Sequence, residues 1–282
     1  CGHAQLRDVG DPERLFRNYE YVSSTSPVYV DHFKRYAEDV RALLSLKAGA
    51  KVVEIGSNDG ILLRHFKDAG LDVLGVDPAK SIAARASASG IQTLPEFFTA
   101  ELAKKLRSEG WGAHVVAANN VFAHADDLHG IVEGVAQLLR PDGVFVFEVS
   151  YLVDVFQKTL FDTIYHEHLS YHTVKPLGAL FGNYGMELVD AIRVDAHGGS
   201  LRGIAQLQGG SLPVRPRVQE MMALEESLGL DQPKAYALLV GRITALKDEL
   251  RGLLSALKQK GSRLADFGAP AKATTLMYAF GL

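Results

Sequence analysis

Between residues 50 and 150 the apolar positions alternate between two patterns. Nearly uninterrupted apolar runs occupy 51–55, 72–76, 113–118 and 144–149, with a weaker one at 91–94. Runs of this kind read as strands covered on both faces. Between them, 60–69, 79–89, 99–109 and 126–139 repeat their apolar positions at helical spacing. The alternation predicts an open, doubly wound α/β domain with a mostly parallel sheet and helices on both faces. Ahead of it, Ser26-Pro27 reads as a helix N-cap and first helical residue. Phe33, Tyr36, Val40, Leu43 and Leu44 recur at helical spacing behind that start.

The regularity lapses elsewhere. Residues 1–25 show little periodicity and hold a polar-aromatic cluster, Tyr19-Glu20-Tyr21-Val22-Ser23-Ser24. Residues 151–170 read as irregular and are rich in aromatics and histidine. A helix near 174–184 and two strand-like runs, 187–195 and 201–207, follow, with His197-Gly198-Gly199-Ser200 as the turn of an edge hairpin. Residues 217–260 read as two helices broken at Gly229 and Pro233. A fresh strand at 263–267 then turns through Gly268-Ala269-Pro270-Ala271-Lys272 into a helix, which predicts the start of a second α/β domain. The division expected is 1–25, 26–212 and 213–282.

Composition narrows the class only a little. A net charge of −3 over 282 residues argues against a nucleic-acid partner, which calls for a clustered basic face. No stretch approaches ~18 uncharged apolar residues, so no membrane span is expected. With Cys1 as the single cysteine and no signal-peptide pattern, a cytoplasmic setting is expected. Cys1-Gly2-His3 begins without methionine and the chain stops inside an apolar run, so both ends read as cut.

The sharpest chemical signal is Val53-Glu54-Ile55-Gly56-Ser57-Asn58-Asp59-Gly60, between the first strand and the next helix. Doubly wound folds bind ligands at that place, beyond the carboxyl ends of the strands. The next strand ends in Asp77-Pro78, with the acid twenty-one positions after Gly56 and placed to accept from a ribose diol. A dinucleotide loop needs a second glycine where its backbone meets the pyrophosphate, and here that residue is Asn58. Glu54 and Asp59 add negative charge that would repel a diphosphate and suits a sulfonium and an α-amino group. S-adenosylmethionine carries both cations and no phosphate. The polar end of the fourth strand, Asn119-Asn120, lies beside the same cleft. Glu54, Gly56, Asn58, Asp59, Gly60, Asp77, Pro78, Asn119 and Asn120 are therefore the expected cofactor residues. The alternative is a tight strand–helix turn with no ligand.

With these residues assembled, the chain resembles the sugar C-methyltransferases of deoxysugar biosynthesis. The resemblance rests on Cys1-Gly2-His3 with Gln5-Leu6, on Tyr19-x-Tyr21-x-Ser23-Ser24-x-Ser26, and on Glu54 to Gly60. It continues in Asn119-Asn120-Val121-Phe122-Ala123-His124, Tyr165-His166-Glu167-His168, His197-Gly198-Gly199-Ser200 and Gly268-Ala269-Pro270-Ala271-Lys272. It implies a class I methyltransferase fold, an N-terminal zinc-binding module of which 1–25 is a remnant, and a C-terminal α/β domain. With Cys1 standing for the last of four zinc ligands, no zinc is expected in this chain.

The resemblance also implies methylation of the carbon beside the ketone of a nucleotide-linked keto-deoxysugar. Such transfer needs a base to remove a proton from that carbon and donors to stabilise the enolate. His168 is the candidate base, and Glu167 either orients it or is itself the base. Tyr165 and His124 are candidate donors to the carbonyl oxygen, and Tyr19 and Tyr21 are expected to close the cleft over the substrate. Other readings stay open at this point. They are O- or N-methylation of a small metabolite, a non-catalytic cofactor-binding module, and a metal cluster of His166, Glu167, His168 and His172. The last is disfavoured because Ser170 stands where a His-Glu-x-x-His motif needs its second histidine. Gly268 to Lys272 reads equally as a phosphate-binding turn or a plain strand–helix turn.

Overall fold

The structure, a computed structural model, describes residues 2–196, 198–268 and 270–282. Its centre is a seven-stranded sheet built from β2 (Lys51–Ile55), β3 (Asp72–Val76), β4 (Thr93–Leu94), β5 (Ala113–Asn119), β6 (Leu139–Ser150), β8 (Met186–Val194) and β9 (Ser200–Leu207). The spatial order is β4-β3-β2-β5-β6-β9-β8. The first five strands pair in parallel, while β9 pairs antiparallel with β6 and β8 closes the edge as a hairpin. A small two-stranded sheet pairs β1 (Ala4–Gln5) with β7 (Ser170–Tyr171).

The alternation of side chains along each strand fills two separate cores. Val52, Val115, Val144 and Val146 face α2 (Pro27–Leu44) and α3 (Ile61–Asp68), whose Phe33, Tyr36, Val40, Leu62 and Phe66 are buried against them. Val53, Val116, Phe145 and Phe147 face the other way. There they meet Leu102 and Leu106 of α5 (Ala100–Ser108), Val132, Val135 and Leu138 of α6 (Leu128–Leu138), and Phe181 of α8 (Val174–Gly182). Burial on both faces explains why these strands read as continuous apolar runs. The remaining helix of this alternation, α4 (Lys80–Ala88), joins β3 to β4.

The predicted elements appear within a few residues of their expected bounds, and four regions differ. The weak strand at 91–94 pairs only over Thr93–Leu94. In the region read as irregular, α7 (Leu152–Lys158) forms with five of its seven residues buried, so it shows no polar face for a helical period to reveal. A short α1 (Pro12–Phe16) forms near the N-terminus, capped by the Asp11 side chain. The strand predicted over 263–267 is absent: these residues are exposed and unpaired, and an extended run becomes a strand only through a ladder partner. The two C-terminal helices of the expected pair are α9 (Pro216–Ser227) and α10 (Pro233–Gln259), followed by α11 (Ala271–Phe280). Val194 pairs with Ser200 across the expected hairpin turn, of which His197 lies outside the described residues, as do Cys1 and Ala269. Among the described residues no helix is long and apolar enough to cross a membrane.

On the α2 face the apolar rows end in a row of buried polar groups. Glu148 and Arg202 stand opposite each other in register and pair Nε to Oε1 at 2.6 Å. His32 of α2 reaches the other Glu148 oxygen at 2.7 Å, and Asp39 meets Arg202 at 3.2 Å. The Arg202 guanidinium also lies 4.4 Å from the Tyr36 ring centroid, and the Tyr36 hydroxyl donates to the Val146 carbonyl at 3.1 Å. This network ties α2 to the carboxyl end of β6 and the amino end of β9.

Burial alone would raise the Glu148 pKa, but the His32 hydrogen bond and the Arg202 charge outweigh it and hold the carboxyl below its usual range. Removing one partner of a buried ion pair leaves the other charge uncompensated, so Glu148→Ala is expected to lose about 3–5 kcal/mol in chemical denaturation. Because the folded carboxyl titrates below the ordinary value of 4.5, its contribution is present above that pH and is lost as pH falls through the folded value. The gap between wild type and Glu148→Gln is therefore expected to narrow in denaturation curves taken at progressively lower pH.

Candidate functional site

The strand order reverses at β2, whose neighbours β3 and β5 lead away on opposite sides, and this opens a crevice above its carboxyl end. Gly56 takes φ +64° there, and a Cβ on it would collide with the Val121 side chain. Gly60, at φ +78°, is packed against Ile91, 2.8 Å from where a Cβ would stand. The Gly56 N–H donates to the Val76 carbonyl at 2.7 Å, fixing the loop against β3.

The acids of this loop are buried and under-satisfied. Glu54 is 4% exposed and receives one hydrogen bond, from Asn119 Nδ2 at 3.3 Å. Glu54 Oε2, Ser57 Oγ, Asp59 Oδ1 and Asn119 Oδ1 are all buried with no hydrogen-bond partner. Burial pushes the Glu54 carboxyl well above its usual range; Asn119 opposes this, and Asp77 and Asp59 add to it. Buried acceptors are normally paired, so a set of orphans around one crevice marks a place that a donor or cation completes. Asp77 differs, because its two oxygens accept from the backbone N–H groups of Asn58 at 2.8 Å and Ala79 at 2.9 Å. Pro78 follows it at the crevice edge. Asn120, at φ +55°, donates its N–H to the Glu148 carbonyl at 2.8 Å, joining the crevice to the polar row beneath α2.

The Asn58 side chain is engaged elsewhere. Its Oδ1 accepts from the Ser23 N–H at 3.0 Å and its Nδ2 donates to the Tyr21 carbonyl at 2.9 Å. The polar-aromatic N-terminal segment is thereby drawn across the loop.

A second group of side chains gathers beside this segment. His168 donates from Nδ1 to the Thr163 carbonyl at 2.7 Å, which leaves Nε2 as the basic nitrogen, facing the Tyr165 hydroxyl at 3.2 Å. The His168 and His124 rings are 5.0 Å apart, and Phe16 packs on His124 at 5.8 Å. Burial lowers the His168 pKa, opposed by the Thr163 hydrogen bond and aided by the Lys272 charge. Burial, with His168 beside it, pushes His124 down to about 3. Tyr19 is pushed up to about 12 by burial and by Glu167, Tyr165, Tyr21 and Asp77 around it. Tyr165 is likewise raised, first by burial and then by Glu167 and Asp162. The cluster thus holds neutral imidazoles and protonated phenols around Glu167.

The structure brings together His168, Tyr165, Glu167, His124 and Tyr19, while Tyr21 packs on Tyr19 at 6.5 Å with its own ring half exposed. The metal reading finds no support: His172 is fully buried with Nε2 on the Phe122 carbonyl, and His168 spends Nδ1 on Thr163. Among the described residues no three His, Cys, Asp or Glu side chains converge to hold a metal ion. Sequence reasoning missed Phe16, which packs on His124, and Thr163, whose carbonyl sets the His168 tautomer. Nothing in an irregular stretch signals a backbone acceptor.

Comparison with known proteins identifies the family and the fold. Residues 29–191 match the family model described as a methyltransferase domain, and residues 195–282 match the C-methyltransferase C-terminal domain. The chain is 37% identical over 282 residues to the C-methyltransferase NovU of Streptomyces niveus, covering 100% of this chain and 67% of that protein. The fold is similar to that of PH0226 protein from Pyrococcus horikoshii OT3, with TM-score 0.54 and 16% identity over 70% of this chain and 98% of that one. It is also similar to magnesium protoporphyrin IX methyltransferase from Synechocystis with bound SAH. There the TM-score is 0.50 and the identity 16%, over 68% of this chain and 90% of that one. At these identities the structural likeness speaks for the fold.

The loop turn itself is testable. Gly56→Ala combines a left-handed backbone penalty of about 1–2 kcal/mol with the Val121 collision. Gly49→Ala, at φ +78° with nothing within 4 Å, carries the first term alone. Thermal unfolding is expected to show Gly56→Ala as clearly the less stable of the two.

Proposed function

The chain belongs to the S-adenosylmethionine-dependent C-methyltransferases, and from that premise we propose that it methylates the carbon beside the ketone of a nucleotide-linked keto-deoxysugar by way of an enolate. In this reading it acts in the cytoplasm, on a small-molecule substrate. The observation that carries it is His168, whose fixed tautomer presents a neutral basic nitrogen inside a cluster of hydrogen-bond donors.

S-adenosylmethionine supplies an electrophilic methyl group. The orphaned acceptors fit its cations: Glu54, Asp59 and Asn119 would face the α-amino and sulfonium groups, and Asp77 with Pro78 the ribose and base. Gly56 and Gly60 let the backbone approach, and Asn58 and Asn120 contribute through theirs. The deprotonating step belongs to the protein. His168 Nε2 takes the proton from the carbon next to the ketone, and the electron pair left behind moves onto the carbonyl oxygen. Tyr165 and Tyr19 keep their protons at neutral pH and neutral His124 retains one ring N–H, so all three can donate to that oxygen as its charge grows. Glu167 lies beside Tyr19 and Tyr165 and is the alternative base. Tyr21 packs behind Tyr19 and holds it in the cleft.

Incubating the full-length protein with a keto-sugar nucleotide in deuterium oxide reads the first step without methyl transfer. Exchange is expected beside the ketone, and His168→Ala is expected to slow it about a hundredfold or more while keeping cofactor affinity. No exchange with intact protein, alongside methyl transfer to an oxygen or nitrogen acceptor, would sink the enolate reading.

The raised Glu54 pKa gives a second test. A cation bound beside Glu54 pulls its titration down, so binding releases a proton and tightens as pH rises. Calorimetry with S-adenosylmethionine in buffers of different ionisation enthalpy is expected to show that release in wild type and lose it in Glu54→Gln.

A further inference from the structure

The Asn58 side chain sits in the cofactor loop but spends itself on the segment that crosses it. Its carbonyl takes the Ser23 N–H at 3.0 Å and its amino group reaches the Tyr21 carbonyl at 2.9 Å. The side chain therefore acts as one more backbone unit, pairing with a three-residue stretch as a strand partner would. Its own backbone is fixed at φ +50°, with the N–H on Asp77 at 2.8 Å, so the amide is held at a set height above β3.

The crossing segment is fastened at a second place. Arg17 donates to the Pro95 carbonyl at 3.0 Å and lies 4.7 Å from the Phe97 ring centroid, on the loop after β4. Glu13 one turn back pairs with the same guanidinium at 2.6 Å. Next to Arg17, Phe16 covers His124, and between the two fastenings Tyr19 stands within electrostatic reach of both Asp77 and Glu167. The segment thus touches the loops beyond β5, β4 and β2: Phe16 meets His124, Arg17 meets residues 95–97, and Tyr21 and Ser23 meet Asn58. Its anchors are few and exposed or half-buried, whereas the strands below are buried over most of their length. Such a segment opens well before the domain unfolds.

We propose that Asn58 is a positioning residue: its side chain fastens residues 16–25 as a strap over the cofactor crevice, and the cofactor enters and leaves only when that fastening opens. The proposal rests on the crevice above Gly56 being the cofactor site. The same bond that shuts the crevice also sets Tyr19 beside Glu167, so cofactor retention and the placing of a candidate donor share one amide.

Asn58→Gly tests this without disturbing the turn, since glycine accepts the left-handed backbone and removes only the amide. Hydrogen exchange of the full-length protein reads the fastening itself, independently of any ligand. Amides of residues 19–25 are expected to exchange about tenfold or more faster in the variant, with the sheet unchanged. Stopped-flow binding of S-adenosylhomocysteine is expected to show association and dissociation both accelerated about tenfold, with Kd moved by less than about threefold. Arg17→Ala, which touches neither the loop nor Asn58, is expected to speed both rates in the same way. Three results overturn the proposal. One is unchanged exchange at 19–25. Another is faster exchange with unaltered binding rates. The third is a tenfold weaker Kd arising from dissociation alone, which is what a lost direct cofactor contact produces. Failure of wild type to bind S-adenosylhomocysteine at all overturns the proposal together with the site, whereas each of the three leaves the site standing.

Discussion

Glu54 stands at the end of the central strand with burial opposing its charge and only one weak hydrogen bond, from Asn119, to relieve it. This unfavourable placement is the constraint around which the rest of the site is arranged. An isolated buried carboxylate is costly, and the usual relief is a buried cationic partner. Glu148, two strands away on the same face of the sheet, has that relief in Arg202 and His32 and is held in its charged form. Glu54 has no cation near it among the described residues. The two acids are chemically alike and lie in the same buried polar row, yet one is internally neutralised and the other is left open toward the crevice. An acceptor left open in this way favours a positively charged ligand and disfavours a diphosphate, which is why the loop suits S-adenosylmethionine.

The polar row under α2 then has a purpose beyond stability. Asn120 hangs its N–H on the Glu148 carbonyl, so the residue that locks α2 to the sheet also supports the end of β5 beside the cofactor. The helix leads directly from the strap through Ser26 and Pro27. A single run of chain thus passes from the crevice cover to the buried ion-pair network. The strap runs into the core at α2, and over the crevice it is secured by the Asn58 side-chain amide and by Arg17.

Much of this was legible in the sequence, for identifiable reasons. The parallel strands declare themselves because both faces are buried, so Val52 and Val53 are equally apolar although they serve opposite cores. The loop declares itself because Gly56 and Gly60 are required by backbone conformation and close approach, while Glu54 and Asp77 sit at fixed offsets from it. What stayed hidden depends on contacts distant in sequence. Nothing near Arg202 in the chain announces Glu148 or His32. The 152–158 helix is concealed by being buried on most sides. The run at 263–267 has a strand's composition and no strand to pair with. The loop position of Asn58 predicts a place beside the cofactor, and nothing near it in the chain announces that its side-chain amide bonds the backbone of Tyr21 and Ser23.

The proposed chemistry and the proposed strap meet at Tyr19. Its phenol is pushed up to about 12, so it acts at neutral pH as a hydrogen-bond donor and not as a base. A donor helps an enolate only if it is in place when charge reaches the oxygen, and Tyr19 is in place only when the strap is down. Proton removal by His168 would otherwise be reversed by the imidazolium it creates. Tying the donor to the segment that covers the cofactor means the enolate is stabilised in the closed crevice and nowhere else. Strap closure and stabilisation of the enolate are thereby linked through the placement of one tyrosine.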